Sequence, residues 1–236
     1  MNDRLHNRRD ALAFGGAIGV GLVAAACGGQ GRGAESPQAH GGEEEISPAE
    51  DLMREHGVLN RVLLIYEEGI RRFEAPGEKV PVDQFAATAN IVRRFIEDYH
   101  GKLEEDFLFP RFEKAGKLVD LVAILRRQHE AGRKLTDEVL RQVGSPVSTE
   151  DARRQLAGNL RKFIRMYRPH EAREDTVLFP ALRTVIPPKE LEELGERFEE
   201  KEHALFGKEG FEGIVAQVAV IEAQLGIGDL ASFTPS

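Results

Sequence analysis

Cysteine is nearly absent from these 236 residues: Cys27 is the only one. An intrachain disulfide and a cysteine-rich metal site are both excluded. Any bound metal must be held through nitrogen and oxygen, which points to iron, manganese or zinc rather than copper(I) or an iron–sulfur cluster. Tryptophan is missing and there are three tyrosines. No excess of positive charge exists: the formal net charge is −8, so nucleic-acid binding has no electrostatic footprint and the surface reads as a soluble, self-repelling one. Strand-period segments are lacking as well.

The longest weakly polar run, Ala11 to Ala26, is too short and glycine-rich for a comfortable membrane span. It follows Arg4 and the pair Arg8–Arg9, and ends in Ala24-Ala25-Ala26-Cys27. This arrangement resembles a bacterial twin-arginine export signal with a lipobox-type cleavage site, although the usual phenylalanine after the arginines is missing. The resemblance implies lipidation of Cys27 and a place at the outer face of the cytoplasmic membrane, in the periplasm or on the cell surface. Membrane attachment is expected only through this signal or lipid anchor. Residues 28–47, rich in Gly, Ser, Gln and Glu, read as a flexible tether in which His40 is a bystander.

From Ser47 the pattern becomes helical. Ser47-Pro48-Ala49-Glu50 has serine at the cap, proline in the first turn and glutamate three on. Four amphipathic helices are expected, about 48–73, 82–114, 117–143 and 148–185, separated by glycine and proline signals. Their short connections force antiparallel neighbours, giving an all-α, up-down-up-down four-helix bundle over residues 48–185. Residues 186–236 form a C-terminal helical extension, with helices from Pro187-Pro188 to Phe206 and from Gly210 to Leu225.

Two segments repeat. His100-x-x-x-Glu104-x-x-x-Leu108-Phe109-Pro110 matches His170-x-x-x-Glu174-x-x-x-Leu178-Phe179-Pro180. A helix with one histidine precedes each copy: His56 before the first, His129 before the second. Residues four apart share a helix face at about 5–6 Å, so each motif offers an imidazole and a carboxylate to one centre. A single such pair on a charged helix is usually solvated. Two copies with matched apolar flanks, plus one histidine from each remaining helix, give four nitrogens and two carboxylates inside a bundle.

These residues resemble the hemerythrin-like (HHE cation-binding) family over about residues 48–185. The resemblance implies a non-haem centre of two iron ions bridged by two carboxylates. It implies a protein that binds or senses dioxygen or a related small oxidant. A di-iron enzyme consuming peroxide or nitric oxide is the first alternative, and a non-catalytic, metal-stabilised surface binding module the second. The usual pattern has a second histidine four after His129; here Arg133 stands there and cannot ligate. The usual fourth-helix carboxylate falls at Asp175, whereas symmetry with Glu104 favours Glu174. His203, in Glu200-x-x-His203, is a candidate replacement ligand. Tyr167 lies one turn before His170, and Pro169 is expected to kink the fourth helix near Arg165–Met166.

Overall fold

The first helix begins where the cap signals place it. In a computed structural model describing residues 46–78 and 80–235, Ser47 and Glu50 form a closed capping box: Ser47 N–H donates to Glu50 Oε2 at 2.9 Å, and Glu50 N–H donates to Ser47 Oγ at 3.3 Å. Such a cap is worth about 1 kcal/mol. The export signal and nearly all of the tether lie outside the described residues.

Six helices follow. Helix α1 is Pro48–Glu74. Helix α2 is a continuous rod over 82–115, opening with Val82–Ile91 and closing with Phe109–Ala115. Helix α3 is Val119–Val143. Helix α4 covers 150–184, α-helical over Glu150–Arg173. Helices α5, Pro188–Phe206, and α6, Gly210–Leu225, complete the fold. Among the described residues there is no strand, and no helix is long and apolar enough to cross a membrane.

Each of α1 and α3 packs against both α2 and α4, closing an antiparallel four-helix bundle. Its interior is aliphatic and aromatic, with Tyr66, Phe85, Phe95, Phe112 and Phe163 fully buried. The α2–α3 corner turns on two left-handed residues, Gly116 (φ 63°) and Leu118 (φ 50°). The second costs about 1 kcal/mol for an L-residue. It places Leu118 against the core and delays the start of α3 to Val119, two residues later than the sequence pattern suggests.

Three stretches wind as π-helix: Val92–His100, Glu104–Leu108 and Glu174–Leu178. The last two start at the motif glutamates and end before Pro110 and Pro180. There Phe109 N–H reaches Glu104 O, and Phe179 N–H reaches Glu174 O, five residues back. A proline lacks its N–H and crowds the carbonyl four back, so a widened turn ahead of it relieves the clash. Pro169 instead sits within unbroken α-helix, and the change of winding comes later, at Glu174.

The C-terminal hairpin is tied down by buried and part-buried polar contacts. Arg61 forms a two-pronged pair with Glu222 (2.9 and 2.5 Å), and Arg72 donates to Leu225 O at the end of α6. Glu202 is buried between α5 and the bundle, accepting from Phe211 N–H at 3.0 Å, with Tyr99 Oη 3.4 Å away.

Candidate metal centre

Six of the seven residues singled out by the repeat and its surroundings meet in the bundle interior. His56 comes from α1, His100 and Glu104 from α2, His129 from α3, and His170 and Glu174 from α4; all are buried. The Nε2 atoms converge in pairs. His56 and His100 approach to 3.0 Å, and His129 and His170 to 3.2 Å. Glu174 Oε2 lies 3.1 Å from His170 Nε2 and 3.5 Å from His56 Nε2. Glu104 Oε2 lies 3.3 Å from His129 Nε2 and 3.8 Å from His100 Nε2. Two ligand-competent groups result, one of Glu104, His129, His170 and Glu174, the other of His56, His100 and Glu104. Glu104 belongs to both.

The outer edge of every ring is also held. Nδ1 of His56 lies 2.7 Å from Asp175, that of His100 2.8 Å from Glu55, that of His129 3.0 Å from Glu105, and that of His170 3.0 Å from Gln128. An imidazole that donates Nδ1–H outward keeps its Nε2 lone pair inward. In the neutral, metal-ready rings, lone pairs would therefore face lone pairs and carboxylate oxygens across the centre. All four carboxylate oxygens of Glu104 and Glu174 lack a hydrogen-bond donor. Buried acceptors left this way cost several kcal/mol unless a cation sits among them. The donor set fits a bound metal.

The repeat also explains the ring orientations. The residue before each lone histidine, Glu55 or Gln128, holds the motif histidine of its own hairpin. The residue after each motif glutamate, Glu105 or Asp175, holds the lone histidine of the other hairpin. Phe109 stacks on His129 and Phe179 on His56, each with centroids 5.5 Å apart, by the same exchange. These four acceptors were not picked out by sequence reasoning, except that Asp175 was weighed as a ligand. The signal was present in their fixed offset from the repeat.

Asp175 is placed at the Nδ1 edge of His56 with its side chain 34% exposed, whereas Glu174 is fully buried and faces the Nε2 atoms. Arg133 pairs with Glu105 at 2.7 Å, behind His129. His203 is not brought to the cluster. It lies half-buried on α5, outside the four helices, because the inward position on that turn is taken by Glu202. Tyr167 is buried, its ring centroid 5.4 Å from that of His170. Its hydroxyl occupies the space where a Cβ on Gly132 would stand.

Without metal, the charges divide unevenly. Burial, the largest influence at His56, His100 and His129, pulls His100 down to about 4. At His56 the contacts to Asp175 and Glu174 outweigh burial and raise it to about 10. At His129, Glu104 and Glu105 raise it to about 9. Burial and the nearby Glu174 hold Glu104 above its ordinary range, while His170 and His56 overcome burial and hold Glu174 well below. A cavity of about 10 Å³, room for one water-sized group, adjoins the cluster. It is lined by the four histidines, by Leu59 and Ile96, and by Glu97, Arg133 and Tyr167.

The hemerythrin HHE cation-binding domain matches residues 47–182, and a second match covers 121–208. The chain belongs to the hemerythrin HHE cation-binding family. The second match begins at the second hairpin, as expected of a hemerythrin-like domain built from two related halves. An uncharacterized protein of Mycobacterium bovis is 51% identical over 209 residues, covering 88% of this chain and 80% of its own length. Uncharacterized proteins from two strains of Mycobacterium tuberculosis match with the same figures. No solved structure matches. The hemerythrin-like assignment and the buried His/Glu cluster fit a metal-binding protein.

Proposed function

We propose that this hemerythrin-like chain is a non-haem di-iron protein that binds or senses dioxygen, or a related small oxidant, outside the cytoplasm. The observation that carries it is the inward set of four Nε2 atoms and two unpartnered carboxylates. His56, His100 and Glu104 would hold one ion, and His129, His170, Glu104 and Glu174 the other. Two histidines and carboxylate per ion is a donor set associated with iron that keeps open positions. When bound, the iron pair supplies a redox-active centre able to take a small ligand.

The chain's own residues prepare that chemistry. The four Nδ1 acceptors fix each ring and its tautomer. The small cavity leaves room for about one water-sized group beside the metal-binding atoms. Arg133 leaves the position four after His129 without a donor and adds a positive charge beside the cavity. The basic, apolar and Ala-Ala-Ala-Cys27 pattern of the first 27 residues supports the location.

Reversible change of the near-ultraviolet and visible spectrum on oxygenating the reduced protein is the expected result. Irreversible oxidation alone refutes reversible binding. A second reading, an enzyme consuming peroxide or nitric oxide, is favoured by Glu97 and Arg133 at the cavity wall. Steady-state consumption that disappears in His100→Ala supports it, and turnover no greater than that of free iron removes it.

A further inference from the structure

One buried acid beside the cluster has no part in the donor set. Glu97 lies on α2, one turn before His100, in the π-helical stretch, and is 3% exposed. It lines the cavity shared with the four histidines. Its Oε1 accepts from Thr136 Oγ1 at 2.6 Å, and its Oε2 lies 2.9 Å from Arg93 Nη1. Arg93 is 22% exposed and pairs on its other side with Asp137, which is 72% exposed. A carboxyl group thus has one face on the cavity and one polar side chain between itself and solvent.

We propose that Glu97 is the proton-exchange residue of this cavity, giving a proton to a small protic ligand of the peroxide or hydrazoic-acid type and recovering it from solvent at the Arg93–Asp137 edge. The inference rests on the proposed metal centre. The transfer is a proton shift only: the Glu97 O–H bond breaks, a bond from that proton to the ligand's basic atom forms, and water then returns a proton to the carboxylate. No electron moves through Glu97.

The surroundings suit an acid that changes charge. Arg93 and Asp98 face it from α2, Thr136 and Arg133 from α3, Tyr66 from α1 and Tyr167 from α4. Burial is the largest influence and holds the carboxyl above its ordinary range, against Thr136 and Arg93. The two cations keep it from becoming a permanently neutral acid.

Azide is the probe. Its binding to the iron-loaded full chain, followed optically across the range in which the carboxyl titrates, should weaken with rising pH because each bound azide takes up the Glu97 proton. In Glu97→Gln the profile should be flatter by one proton, a difference of about tenfold per pH unit. Glu97→Asp should restore the slope. The carbonyl stretch of a protonated carboxyl, read by infrared difference spectroscopy on azide binding, should vanish in Glu97→Gln. Superimposable pH profiles of wild type and Glu97→Gln, at equal iron content, overturn the proposal while leaving the metal centre standing. If Glu97→Gln does not fold, a Glu97→Asp profile with its carboxyl band unmoved from wild type overturns it equally. A wild-type chain that takes up no iron refutes the proposed function itself.

Discussion

Replacing Asp175 by alanine separates two roles that one carboxylate could have. As an orienting group it holds His56 Nδ1 at 2.7 Å and never touches metal. Loss of such a partner typically lowers metal affinity by about 10–100-fold, or about 1.4–2.7 kcal/mol. Asp175 is one-third exposed, so water can replace it in part, and about tenfold is expected. Glu55, the equivalent partner of His100, is fully buried, so Glu55→Ala belongs at about 100-fold. Gln128→Ala removes only a neutral acceptor and should be mildest. The assay is competition for iron(II) against a calibrated chelator, with stoichiometry and helical content measured on each variant. Two ions per chain with weakened binding, in the order Glu55, Asp175, Gln128, is the expected result. An Asp175→Ala chain that holds one ion fewer, or binds as tightly as wild type, refutes the reasoning.

His203→Ala should leave metal content unchanged, since His203 lies outside the cluster; loss of an ion by elemental analysis would contradict this. Metal loading near pH 7 should release protons, because His56 and His129 are held charged to about 10 and 9; a pH-stat titration that records no release contradicts this. The same raised values mean that the metal-free fold keeps their stabilisation below about pH 6.5, the unfolded value, and loses it as pH climbs through 9 to 10. Denaturation midpoints of the metal-free protein should fall over that range. Gly132→Ala puts a methyl 2.2 Å from the Tyr167 hydroxyl oxygen and should destabilise by about 1–3 kcal/mol in urea titrations.

The helix pattern was legible because its punctuation is local. The Ser47–Glu50 box, the left-handed Gly116 and the Pro187-Pro188 pair act within a few residues of where they are written. The duplicated motif was legible because a four-residue spacing survives any bundle geometry. Other features depend on helices meeting. Glu55, Glu105 and Gln128 look like surface charge and polarity on highly charged helices, and only the packing of one helix against another turns them toward Nδ1 atoms. Glu200-x-x-His203 resembled a ligand pair, yet the register of α5 points Glu202 inward instead. The π turns at Glu104 and Glu174 follow from Pro110 and Pro180, which read in isolation only as places where a helix is shaped or ends.

Metal content with an optical spectrum, taken on the full chain purified with its N-terminal signal intact, tests the central claim most directly. Two irons per chain, with near-ultraviolet and visible absorption that disappears when both His100 and His170 are changed to alanine, is the predicted result. A chain that holds no metal, or zinc with no iron and no such absorption, would contradict the account.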